Sequence, residues 1–98
     1  MGQMSKVGRK ATKVGVNKDK SIISVKYHQT EVVHVENNIV TLNNGGYLTV
    51  TTKARMNQTA MEFGLNFNVY QNKYDWFCRT PQGITVPFVG KTLSFIRG

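Results

Sequence analysis

From residue 21 onward the chain alternates apolar and polar residues with a period of two, in short runs separated by turn residues, the pattern of half-buried β-strands. Ser21 to Thr30 (SIISVKYHQT) and Glu31 to Glu36 (EVVHVE) are rich in β-branched and aromatic residues, and Asn37-Asn38 interrupts before Ile39 to Leu42. A two-residue turn at the Asn pair sets Val35 opposite Val40 and Val33 opposite Leu42, so four aliphatic side chains share one surface. His34, Glu36 and Thr41 then face away, and His34 reads as an exposed strand residue with no further role.

Asn43-Asn44-Gly45-Gly46 marks a loop, because Asn and Gly both tolerate positive φ. It lacks the Gly-Lys-Ser/Thr ending and the following helix N-terminus that a nucleotide-binding loop requires. Thr51 and Thr52 can cap a helix spanning Lys53 to Phe63, with Gly64 closing it. Met56, Ala60 and Phe63 form its buried face, Met61 reads as core filler like Met56, and Lys53 and Arg55 make its start basic. Beyond it, 66–71 and 74–79 flank Asn72-Lys73, and a two-residue turn there sets Val69 opposite Trp76 and Phe67 opposite Cys78. The other face carries Asn68, Tyr70, Asp75, Phe77 and Arg79, which is either covered by a second layer or a stacking platform beside a cation. Ile84 to Val89 pairs with Thr92 to Arg97 across Gly90-Lys91, Pro87 marking an edge strand. The fold class is α+β: mostly antiparallel hairpins and a meander of about six or seven short strands, one amphipathic helix packed on one curved sheet, and a basic N-terminal arm.

Charge sharpens the picture. The 98 residues hold 13 Lys and Arg against 5 Asp and Glu, a net charge of +8. Six of the cations (Lys6, Arg9, Lys10, Lys13, Lys18, Lys20) lie in residues 1–20 against Asp19 alone. The small, scattered apolar residues there define no buried face, so 1–20 reads as a flexible arm and 21–98 as a single domain. Such an arm suits a polyphosphate, whose counterions it releases; a solubilising tail is the other reading. No apolar run reaches the roughly 20 residues of a membrane span and no export signal is evident, which points to the cytoplasm. The single cysteine, Cys78, forms no intramolecular disulfide and, on an apolar strand face, reads as a buried structural thiol. No paired carboxylates, Ser/His/Asp set, metal-ligand spacing or cofactor loop stands out, so the reading is a non-enzymatic chain without metal or cofactor.

The run TLNNGGYLTVTTKARMNQ (Thr41 to Gln58), continued by EFGL, VYQNKYDWF and GKTLSFIRG, resembles small tailed-bacteriophage accessory proteins. The resemblance covers residues 23–98, excludes the basic arm, implies a phage source and the host bacterial cytoplasm, and brings no catalytic residues with it. Two functions follow. One is largely sequence-nonspecific binding of DNA or RNA by Lys6, Arg9, Lys10, Lys13, Lys18 and Lys20, by Lys53 and Arg55, and by Tyr70, Phe77 and Arg79. The alternative is a phage-encoded inhibitor of a host protein or nucleoprotein complex, such as an anti-CRISPR or other anti-defence protein, with its hot spot among Tyr47, Tyr70, Tyr74, Trp76 and Phe77.

Overall fold

The aliphatic alternation of residues 23–42 builds the larger of two antiparallel sheets in the computed structural model, which describes residues 11–97. Its strands are β1 (Thr12–Val16), β2 (Ile23–Tyr27), β3 (Thr30–Glu36), β4 (Ile39–Asn43) and β8 (Thr92–Ile96), in the order β1-β2-β3-β4-β8. The smaller sheet has the order β5-β6-β7, from β5 (Asn68–Asn72), β6 (Asp75–Arg79) and β7 (Thr85–Pro87). Between β4 and β5 runs α1 (Val50–Phe63), which packs on β2 and β3 on one side and on β5 on the other.

The β3-β4 hairpin has the expected register: Val35 lies opposite Val40 and Val33 opposite Leu42. Asn37 and Asn38 both adopt positive φ (55° and 63°), the backbone that a twisted two-residue hairpin demands. Ile23, Val25, Val33, Val35, Val40 and Leu42 are all fully buried beneath α1 and the small sheet. Burial of each such side chain stabilises the fold by roughly 1.5–3 kcal/mol. Between β2 and β3 the pairing jumps from Val25–Val33 to Lys26–Glu31, leaving Val32 as the extra residue of a bulge. The bulge lets both Val32 and Val33 point into the core and turns Glu31 out to the solvent face.

Several expectations are corrected by the fold. Residues 12–16, read as part of a flexible arm, form β1, because Val14 meets Val25 on the core face and completes that side of the sheet. The helix begins three residues early, at Val50, and its cap is Thr49: Thr52 N–H donates to Thr49 Oγ1 (3.2 Å), leaving Thr51 and Thr52 inside the first turn. Gly64 closes the helix in the left-handed conformation as expected (φ 63°). Met61 is half exposed, since α1 buries Met56, Thr59 and Ala60 instead.

Two sheets stand where one was expected, because β7 and β8 do not pair with each other. Leu93 and Phe95 find Leu42 and Val40 across β4, with Thr41 and Ser94 hydroxyls 3.1 Å apart between them. β7 instead becomes the expected edge strand beside β6. The Asn44 side chain pins this crossing: its Nδ2 donates to the Gly90 carbonyl (3.0 Å) and its Oδ1 accepts from Gly46 N–H (2.7 Å). The preceding loop is equally tight, for a Cβ at Gly45 (φ 64°) would stand 2.5 Å from Thr30 Oγ1.

The β5-β6 register also differs, by two residues: Val69 pairs with Cys78 and Gln71 with Trp76, around a Lys73-Tyr74 turn. In this register Gln71 and Trp76 stand side by side facing α1, where Lys53 Nζ donates to Gln71 Oε1 (3.0 Å) while lying 5.6 Å from the Trp76 ring. One further contact fixes the small sheet. Asn57 Nδ2 donates to the Val69 carbonyl (2.8 Å) and Val69 N–H donates to Asn57 Oδ1 (2.7 Å).

Replacing Asn57 by Ala strands both backbone groups of Val69 in a half-buried seam, and a loss of ~2–4 kcal/mol is expected on chemical denaturation. Exposed Met61→Ala, a control on the same helix, is expected to cost under about 1 kcal/mol.

Candidate nucleic-acid interface

Because side chains alternate along a strand, the outward face of the small sheet carries the odd residues of β6 and β7 and the even residues of β5. Its central row is Tyr70, Phe77 and Pro87, and its next row is Asn68, Arg79 and Thr85. The Tyr70 and Phe77 rings lie 5.7 Å apart between centroids with planes 24° from parallel, a stacked pair that is partly buried. A register slip of two preserves strand faces, so the aromatic and cationic members expected on this surface are indeed together. The inward face, with Val69, Trp76 and Cys78, is buried. Burial pushes the Cys78 thiol up to about 11, against a weaker opposing hydrogen bond from the Asn68 backbone, so it stays protonated at neutral pH.

The remaining expected site residues are dispersed. Lys53 is held by Gln71 and Trp76, on the side of the small sheet opposite Tyr70 and Phe77. Arg55 ties α1 to the large sheet: its Nε donates to Thr12 Oγ1 (3.0 Å), Nη1 donates to Gln58 Oε1 (3.2 Å), and its guanidinium lies 5.5 Å from the Tyr27 ring. Lys13 stands beside Lys26 on the outward face of the large sheet, while Lys18 and Lys20 project from the β1-β2 turn. Lys6, Arg9 and Lys10 lie outside the described residues. The cations thus serve two separate surfaces and one internal seam.

Sequence reasoning missed Thr80, which follows β6, is buried, and lines a recess with Arg79 and Asn68, the latter already expected on this face. It also passed over the role of His34. With the bulge turning Glu31 outward, His34 Nδ1 lies 3.1 Å from Glu31 Oε2 and Nε2 lies 2.9 Å from Glu36 Oε1, while Ser24 Oγ donates to Glu31. The carboxylates sit at the two ring nitrogens, and Ser24 bonds to Glu31 rather than to the imidazole, so no nucleophile-base pair forms. Among the described residues no group of three His, Cys, Asp or Glu side chains is arranged to hold a metal ion, and no helix is long and apolar enough to cross a membrane.

The chain matches the family model of the Kyanoviridae Gp96 protein over residues 2–94. It belongs to that family. Membership makes it a cyanophage protein and assigns it no reaction. The match extends beyond the span of the phage resemblance into the basic N-terminal segment. No curated protein and no solved structure matches the chain.

The His34 cluster gives the large sheet a pH response. Hydrogen bonding to Glu36 raises the imidazole above its ordinary value of 6.5 against the cost of partial burial, with the Glu31 hydrogen bond and both carboxylate charges adding to it. Partial burial opposes ionisation of Glu31, yet hydrogen bonds from Ser24 and His34 and the charges of His34 and Lys26 hold it below 4.5. The raised histidine contributes stability in full below pH 6.5 that is lost as pH climbs through its folded value. The lowered carboxyl contributes above pH 4.5 and loses its share as pH falls through its own folded value. His34→Gln is therefore expected to lower the thermal midpoint most between pH 4.5 and 6.5, by the equivalent of at most about 1 kcal/mol for pairs this exposed, and least above the folded histidine value.

Proposed function

We propose that this cyanophage protein is a binding module rather than a catalyst, and that it binds single-stranded nucleic acid in the infected cell with little sequence preference. The observation that carries the reading is the stacked, partly buried Tyr70–Phe77 pair at the centre of an outward sheet face with exposed Arg79 in the adjacent row. Rings presented this way accept any base, because every base offers a π-face, and stacking contributes roughly 1–3 kcal/mol per base. Long-range attraction comes from the net charge of +8, which draws a polyanion without specifying it.

Fluorescence anisotropy with labelled single- and double-stranded DNA and RNA at two salt concentrations tests the reading. Tyr70→Ala with Phe77→Ala is expected to weaken single-strand binding by roughly 1–3 kcal/mol per ring while leaving the salt slope in place. Lys53→Ala and Arg55→Ala are expected to lower stability more than affinity, since both side chains are engaged inside the fold. Removal of residues 1–10 is expected to flatten the single-strand salt slope by about 2, the share of Lys6, Arg9 and Lys10. Binding unaffected by loss of both rings defeats the proposal.

A second reading, docking on a host protein or nucleoprotein, is supported by an adjoining surface that shares Phe77 and Pro87 with the platform. Tyr47, Leu48, Val50, Tyr74 and Val89 are each more than half exposed, and Leu48, Tyr74 and Val89 line a groove of about 410 Å³ with Trp76 and Phe88. Under this reading Tyr74→Ala with Val89→Glu abolishes stoichiometric co-purification of one host protein and spares strand binding; unchanged co-purification rejects it.

A further inference from the structure

Beside the stacked rings, at the turn from β6 to β7, lies a recess of about 300 Å³ lined by Asn66, Phe67, Asn68, Arg79, Thr80, Pro81 and Gly83. Its lining residues carry one guanidinium, two side-chain amides and one hydroxyl, and none of them is acidic. Arg79 is exposed and makes no side-chain hydrogen bond or ion pair among the described residues. Thr80 is more than nine-tenths buried, and its Oγ1 has no hydrogen-bond partner among them. A buried hydroxyl without a partner costs about 1–3 kcal/mol, so a native chain that retains one calls for a missing acceptor. The backbone around it is already committed, with Thr80 N–H donating to the Ile84 carbonyl (2.8 Å) and Gly83 N–H donating to the Thr80 carbonyl (2.9 Å). What the turn leaves over is side-chain donors: Arg79, the amides of Asn66 and Asn68, and the Thr80 hydroxyl.

We propose that this recess is a phosphate subsite, in which Arg79, Thr80, Asn66 and Asn68 receive the phosphoryl oxygens of a nucleotide whose base stacks on Tyr70 and Phe77. A guanidinium with neutral donors and no carboxylate is the donor set that oxyanions select, and hydrogen bonds to a charged acceptor are the strong ones. Placement agrees with the chemistry: Arg79 follows Phe77 by two strand residues, roughly 7 Å along the sheet, a separation that one nucleotide spans from base to phosphate. This assignment rests on the stacking reading for its nucleotide and on the recess alone for its phosphate. It also gives the surface a polarity, since a strand crossing the rings has one end directed to the recess.

Two measurements on the full chain separate the subsite from the stacking face. Amide NMR with inorganic phosphate is expected to give saturable shifts confined to Asn66, Asn68, Arg79 and Thr80; absence of shifts there overturns the subsite whatever the rings do. Strand titrations are then compared for Arg79→Gln, Thr80→Val and the double ring variant. Arg79→Gln is expected to weaken single-strand binding about tenfold and to flatten the salt slope by about 0.7, one phosphate contact, whereas the ring variant loses affinity at constant slope. Thr80→Val is the diagnostic substitution, because deleting an unpartnered hydroxyl is expected to preserve or raise the thermal midpoint while weakening binding by several-fold. Full affinity and slope in both single variants, with the ring variant impaired, overturns the subsite and leaves the platform standing. Phosphate shifts that a single strand displaces identify a nucleic-acid phosphate. Shifts that persist against saturating strand identify a separate phosphorylated small molecule and overturn the nucleotide assignment.

Discussion

Both backbone groups of Val69 are bonded to one side chain, Asn57, and the small sheet is held in place through that contact. Three short strands do not fold alone without an apolar face to cover, and here the cover is α1 together with the core side of the large sheet. Val69, Trp76 and Cys78 pack inward, Trp76 meets Phe88 edge-on at 5.7 Å, and Phe67 meets Phe95 in the same manner at 5.4 Å. With one face committed inward, Tyr70, Phe77 and Arg79 have nowhere to point but out. The proposed binding surface is therefore a consequence of how the opposite face is anchored.

The same packing explains why a charge of +8 does not become one continuous basic surface. Lys53 and Arg55 were drawn inward because long cationic side chains have apolar stems and ring-seeking ends, and the helix start places them over Trp76 and Tyr27. Lys13 and Lys26 went to the far side of the large sheet with β1. Arg79 is the cation in the row beside the aromatic pair, between Asn68 and Thr85. Charge in this protein thus serves cohesion in one place and attraction in another, and composition does not distinguish them.

Local signals were legible where neighbours in sequence are also neighbours in space. The Asn37-Asn38 hairpin, the αL closure at Gly64, the buried Cys78 and the edge position of the Pro87 strand all follow from interactions within a few residues. In the β5-β6 hairpin the register was misplaced but the faces were right, since a slip of an even number of residues leaves side-chain direction unchanged. His34 was misread because a bulge at Val32, invisible to simple alternation, brings Glu31 to its ring.

What the sequence by itself determined is the α+β class, the inward and outward faces of most strands, and the aromatic-cation grouping on β5 and β6, because strand alternation is a property of the backbone. What only the tertiary structure decided is partnership. Thr92–Ile96 had a ready local partner in β7 and took β4 instead, where Leu93 and Phe95 complete a buried aliphatic face that two edge strands alone would leave wet. The basic segment at residues 12–16 became a strand by pairing with its neighbour β2, where Val14 packs against the core. Non-local burial outweighed local pairing at the β8 margin of the large sheet, and the recess at Thr80 sits where the turn from β6 to β7 meets the approach to β5.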